Sequence, residues 1–157
     1  MAYTLVVVDM QPRFEAAKIR RCIDNVLAEI AVAKSEGAAI VVLEYRGFGP
    51  SNRRITQAVR SYERGYFQEK CWDDGSREVF QMCETYHLPR NFRVVGVNYG
   101  ACVKSTAIGL RERKHTVVVV KKACRQPRHW DNVVECGTKY TRKNVTRILQ
   151  RNGILVT

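Results

Sequence analysis

Residues Phe92–Leu110 read FRVVGVNYGACVKSTAIGL. The first six, FRVVGV, are largely apolar and β-branched, as in a strand buried on both faces. From Cys102 to Lys114 a helix is expected. A strand that runs into a helix across a short turn belongs to an alternating α/β chain. A lone cysteine, Cys102, stands at the junction, whereas a strand or helix interior would be the quieter place for a thiol.

The same alternation extends outward in both directions. TLVVVD (4–9) is a short apolar run that ends in an acid, and AAIVVLEY (38–45) is a second buried strand. Between them Ile19, Ile23, Val26, Leu27 and Ile30 follow helical spacing, and Gly37 sits where a helix stops. RGFGPSNRR (46–54) is loop. A short helix over Ile55–Tyr62, a weaker strand over Tyr66–Lys70 and a helix capped by Ser76 and reaching His87 follow. Beyond the opening stretch, HTVVVVKKA (115–123) is a strand, Arg142–Gln150 a helix stopped by Gly153, and ILVT (154–157) a last strand. The pattern predicts one domain over 1–157, a Rossmann-like three-layer α/β/α sandwich with a mostly parallel sheet of about six strands.

Composition narrows the class. The length suits one domain with a real core, and 45% hydrophobic residues is ordinary for a globular chain. Asp9 breaks YTLVVVDM too early for a signal-peptide core, so a cytoplasmic protein with reduced thiols and no membrane partner is expected. The 6 cysteines form no CxxC pair, which argues against a zinc site. The net charge of +12 is lopsided: residues 1–100 hold 14 basic and 12 acidic side chains, residues 101–157 hold 13 and 3. Such a half suits nucleic acid, another polyanion, or merely a solvated surface.

Parallel sheets bind ligands at the carboxyl ends of their strands. Asp9 ends the first strand there, Cys102 follows the strand 93–97, and Lys70 ends the weak strand in YFQEKCWDDGS. A cysteine at a helix N-terminus feels the positive end of the dipole, which favours the thiolate. A nearby ammonium adds to that, and a carboxylate can take the thiol proton. Individually each residue has a plainer reading, Cys102 as packing and Lys70 as surface.

TLVVVDMQPRF resembles the opening of the isochorismatase-like cysteine hydrolases, whose first strand ends in Asp-Met-Gln-x-x-Phe. VVGVNYGACVKSTA is similar to that family's Gly-Val-x-Thr-x-x-Cys-Val-x-x-Thr-Ala signature, and the lysine ahead of Gly75-Ser76 resembles its lysine ahead of Gly-Thr. The resemblance covers nearly the whole chain. It implies that Cys102 is the nucleophile, Asp9 the base and Lys70 the cation that orients both. The backbone N–H groups of Asn98 and Cys102 would hold the oxyanion, and a cis peptide would precede Asn98. The implied reaction is amide-type C–N cleavage through a thioester, with vinyl-ether cleavage the lesser expectation and no cofactor. Gln11, Phe14, Tyr45, Trp72 and Tyr99 become pocket candidates, and an oligomer is expected.

The chain also departs from that pattern. Tyr99 replaces the usual threonine, which would alter the pocket wall, and Lys122 stands where an aspartate often precedes alanine. A catalytically silent protein on the same fold is therefore an alternative. Related nicotinamidases carry an Asp-x-His…His metal site after the second strand; EYRGFGPSNRR has no histidine, so that metal is not expected. His87, His115 and His129 read as structural or surface residues. Lys139, Lys143, Arg147 and Arg151 recur every four residues, one stripe on the last helix if it begins early enough. It lacks a recognised nucleic-acid motif. Arg125 and Arg128, after the strand 115–122, are expected at the active edge, where they would select a small carboxylate-bearing substrate.

Overall fold

The computed structural model describes residues 2–157. In chain order it comprises β1 (Thr4–Val8), α1 (Arg20–Ser35), β2 (Ala39–Tyr45), α2 (Arg53–Arg60), β3 (Gly65–Lys70), α3 (Ser76–Tyr86) and β4 (Phe92–Val97). Then come α4 (Lys104–Glu112), β5 (Val117–Arg125), β6 (Val134–Glu135), β7 (Thr138–Lys139), α5 (Arg142–Arg151) and β8 (Leu155–Val156). Six of the strands form one sheet in the order β3-β2-β1-β4-β5-β8, and every pairing in it is parallel. β6 and β7 make a separate antiparallel hairpin.

Alternation along the strands divides the core into two layers. Val6 and Val8 of β1 pack with Val79, Leu110 and Leu149 beneath α3, α4 and α5. Leu5 and Val7 turn the other way, onto Ile23, Ile30 and Ile55 beneath α1 and α2. Central strands covered on both faces must be apolar at every position, which is why β1 reads as a continuous run. Each such side chain, fully buried, contributes about 1.5–3 kcal/mol. β4 lies close against β1, and Gly96 allows it: its φ is +118°, and a Cβ there would stand 2.1 Å from the Val8 carbonyl oxygen. None of the helices among the described residues is long and apolar enough to cross a membrane.

Three local expectations are corrected. The helical run after β4 begins before Cys102: Tyr99–Val103 form a π-type turn that leads into α4 at Lys104. Ser76 is the first residue of α3 rather than its cap; Gly75 holds the cap position, and the Ser76 N–H donates to Asp74 Oδ1 at 2.8 Å. α5 starts only at Arg142, where the Thr141 hydroxyl accepts the Asn144 N–H at 3.2 Å, and Lys139 belongs to β7. The helix thus begins at Arg142, as the sequence placed it, and the four-residue stripe loses Lys139 to the hairpin.

Candidate active site

Sheet order reverses beside β1, and the suspected residues meet at that edge. Asp9 directly follows β1, anchored by its N–H to the Leu43 carbonyl at 3.0 Å. Its φ of +50° lies in the left-handed region, which Asp tolerates better than most residues. Lys70 ends β3 and brings Nζ to 2.9 Å from Asp9 Oδ2, with both side chains 0% exposed. A buried ion pair persists only when further hydrogen bonds satisfy it. Lys70 Nζ donates to the Trp72 carbonyl at 2.8 Å and lies 4.2 Å from the centre of the Tyr45 ring. Gly75 makes room for this lysine, since a Cβ there would fall 2.9 Å from Lys70 Cδ and 2.6 Å from Leu43 Cδ1.

Neither Asp9 oxygen takes a well-directed hydrogen bond, so lone pairs remain for a proton. Burial pushes the Asp9 carboxyl up to about 6, against the pull of the Lys70 ammonium and the Cys102 thiol. Cys102 is 4% exposed. Burial, followed by the charge of Asp9, drives its thiol well above the ordinary range, and Lys70 only partly offsets this. Inside the π-type turn, desolvation and the Asp9 charge thus oppose the thiolate that a helix terminus was expected to favour. The peptide Val97–Asn98 is cis, as the resemblance implied. The Asn98 carbonyl accepts the N–H groups of Ala101 and Val103 at 3.0 and 3.1 Å, while its side-chain Oδ1 is buried without a partner.

A cavity of about 650 Å³ is lined among others by Asp73, Gly100, Ala101, Lys104, Trp130 and Tyr140, and it approaches the thiol through Asp73 rather than being lined by Cys102 itself. The sequence reading missed Asp73, whose Oδ1 lies 3.6 Å from Cys102 Sγ. It also missed the β6–β7 hairpin that walls the cavity. Asp73 was accessible in principle, since it sits three residues after Lys70; two-residue strands with exposed side chains leave no periodic trace.

The other candidates divide. Tyr45 borders the triad: its ring flanks Lys70, and burial together with the charges of Asp73, Cys102 and Asp9 raises its hydroxyl pKa. Gln11 acts on that segment instead of facing the cavity: Nε2 donates to the carbonyls of Tyr45 at 2.9 Å and Gly49 at 2.6 Å, and Oε1 accepts the Tyr45 N–H at 2.8 Å. Phe14 stacks on Phe48, centroids 4.7 Å apart. Trp72 is 74% exposed and serves Lys70 through its carbonyl. Tyr99 is fully buried and points to α5, its hydroxyl 2.9 Å from Thr146 Oγ1 and its ring 5.1 Å from the Arg142 guanidinium; it is no pocket wall. Arg125 faces α1, where its charge acts on Cys22, and Arg128 is exposed on the Arg128–Asn132 turn. Neither lines the cavity. Lys122 pairs with Glu29 of α1 at 3.3 Å, away from the site.

The segment after β2 presents aromatic rings, and Arg46 there pairs with Glu69 at 2.7 Å. These residues do not make a donor set for the divalent ion of nicotinamidases.

Comparison with solved structures defines the class: the fold is that of the isochorismatase-like hydrolases. A MAR1 ribonuclease from Caenorhabditis elegans superposes with a TM-score of 0.80 at 18% identity, over 99% of this chain and 76% of that one. A nicotinamidase from Staphylococcus aureus gives 0.76 at 16%, over 99% and 97%. An N-carbamoylsarcosine amidase from Thermoplasma acidophilum gives 0.74 at 17%, over 100% and 96%. No protein-family model and no curated protein matches the sequence.

Proposed function

We propose that this protein is a cysteine hydrolase that cleaves an amide-type C–N bond of a small molecule through a thioester on Cys102. The observation that carries the reading is the fully buried Asp9–Lys70 pair at 2.9 Å, placed against an otherwise inert thiol. A desolvated carboxylate is a stronger base than one in water, and a thiol above its usual range needs such a base. The nicotinamidase and amidase among the structural neighbours act, by their names, on C–N bonds, which agrees with it.

On this reading Asp9 takes the thiol proton as Cys102 Sγ attacks the substrate carbonyl carbon. Backbone N–H groups of Asn98 and Cys102 hold the oxyanion. The C–N bond breaks, Asp9 returns its proton to the departing nitrogen, and an acyl thioester remains. Water then gives a proton to Asp9 and its hydroxyl to the carbonyl carbon, the C–S bond breaks, and the proton returns to sulfur. Lys70 favours the ionised form of Asp9 before each proton transfer and holds it in place throughout. The test is a screen of amides followed by acid quench and intact-protein mass measurement. A true substrate leaves its acyl mass on the Cys102 peptide, and Cys102→Ala loses at least about 10³-fold in turnover. Turnover that survives in Cys102→Ala would sink the proposal.

A second reading, polyanion binding, is favoured by one observation. Lys139, Lys143, Arg147 and Arg151 have no carboxylate within 4.0 Å among the described residues. The neighbour named a ribonuclease is consistent with it.

A further inference from the structure

The cavity beside Cys102 differs in character from the molecule around it. The chain carries a net charge of +12, yet the charged side chains lining this cavity are two carboxylates, Asp73 and Glu135, against the single ammonium of Lys104. Asp73 lines it, and no lysine, arginine or histidine lies within 4.0 Å of its carboxylate among the described residues. Gln126 is 6% exposed. Its Nε2 donates to Asp131 Oδ1 at 3.2 Å and to the Tyr140 carbonyl at 2.5 Å. Both partners are acceptors, so the amide cannot be turned over, and Oε1 is left without a donor. That oxygen lies 3.0 Å from where a Cβ on Gly100, a wall residue, would stand. Gln126 therefore packs behind the Gly100 wall and fixes the Tyr140 segment without itself lining the cavity.

Lys104 is the one cation in the lining, set against the carboxylates of Asp73 and Glu135. Nζ lies 4.7 Å from the Tyr140 ring centre and donates to the Tyr140 hydroxyl at 3.4 Å, and that hydroxyl in turn donates to Glu135. The Trp130 and Tyr140 rings stand edge to face, 6.5 Å apart. The lining thus carries one more carboxylate than ammonium, and Asp73 is the carboxylate beside the nucleophile.

We propose that this cavity binds a cationic nitrogen group of the substrate, an ammonium, amidinium or guanidinium, against Asp73 with the Trp130 and Tyr140 rings beside it. Such a group brings several N–H donors and a positive charge, which match a carboxylate and aromatic faces together. The proposal reverses the carboxylate-bearing substrate expected from Arg125 and Arg128, which the fold keeps out of the cavity. It rests on the hydrolase reading for the reaction but not for the charge preference, and the two can fail separately.

Charged methanethiosulfonates test it without any hydrolysis. The Cys102 thiolate attacks the reagent's sulfenyl sulfur, an S–S bond forms, and methanesulfinate leaves with the electron pair. Rates at the Cys102 peptide would be measured at low salt with 2-aminoethyl (cationic) and 2-sulfonatoethyl (anionic) reagents. Their ratio would be divided by that for 2-mercaptoethanol, so any change in thiol reactivity cancels. We expect the cationic reagent to be favoured by about tenfold or more, against the sign of the whole molecule. Asp73→Asn should bring the ratio close to that of the free thiol. Asp74→Asn removes the same charge from the next residue, which is exposed like Asp73 but faces Gly109, and should leave the ratio alone. Asp73→Asn keeps the backbone carbonyl that receives Lys70 Nζ at 3.5 Å, so the triad stays assembled. A ratio near unity, a preference for the anion, a cation preference that survives Asp73→Asn, or no modification of Cys102 by either reagent overturns the proposal.

Discussion

A buried Asp whose carboxyl sits near 6 makes activity and stability respond to pH in opposite senses. As base, Asp9 must be ionised, so kcat/KM should rise as pH passes upward through about 6 and level off above it. For stability, the folded state holds the Asp9 proton more tightly than the unfolded chain, whose carboxyl titrates near 3.8. Asp9's contribution is therefore fully present below that value and is lost as pH rises through about 6. Initial rates and urea midpoints measured from pH 4.5 to 8 would show the two trends. Asp9→Asn should flatten the rate limb by abolishing turnover. It also strands the Lys70 ammonium, and breaking a buried pair costs about 3–5 kcal/mol. A rate limb near pH 4 instead would mean that Asp9 is solvated in the working enzyme, and the base assignment would fail.

At the scale of elements, three strand ends and one turn make the site, and each depends on packing some residues away. Lys70 reaches Asp9 because Gly75, in the cap position of α3, leaves space over its stem. Gly75→Ala would put a methyl 2.6 Å from Leu43 Cδ1 and 2.9 Å from Lys70 Cδ, so both side chains must shift. Overpacking of this kind costs about 1–3 kcal/mol. Here the larger effect should be a fall of at least tenfold in turnover, with CD and oligomeric behaviour unchanged; full activity in Gly75→Ala would show that Lys70 tolerates displacement. The elements themselves were largely legible: β1, β2, β4 and β5 are buried on both faces and read as unbroken apolar runs, and Asp9, Lys70 and Cys102 all fall at strand ends. What stayed hidden depends on tertiary packing. Tyr99 looks like a pocket residue in FRVVGVNYGACVKSTAIGL, yet the π-type turn rotates it into the core under α5. Cys102 looks like a helix-terminal thiolate, yet its burial raises it. Asp73 acquires its place only because β3 and α3 set the Lys70–Gly75 turn against α4.

For the whole molecule the open question is what its charge does. Counts alone put the excess in residues 101–157, but the fold distributes it: Lys122 pairs with Glu29 and Arg142 caps the carbonyls of Cys124 and Lys121, so neither is free. Lys143, Arg147 and Arg151 remain exposed on α5, with Lys139 on the adjoining hairpin. Eight residues of helix span only about 12 Å, room for few phosphates. A strip that short gives weak, sequence-indifferent attraction. If all four side chains met phosphates of single-stranded RNA, log affinity against log salt would slope by about −2.8, roughly fiftyfold lost between 50 and 200 mM. The expected outcome is binding of an RNA 12-mer that fluorescence anisotropy detects at 50 mM salt and loses by 200 mM. Arg147→Glu with Arg151→Glu should weaken it, and Cys102→Ala should leave it unchanged. Tight binding that persists at 200 mM and vanishes with the two arginines would instead make the polyanion surface the main business of the chain. Binding indifferent to those arginines would free α5 of any role in it.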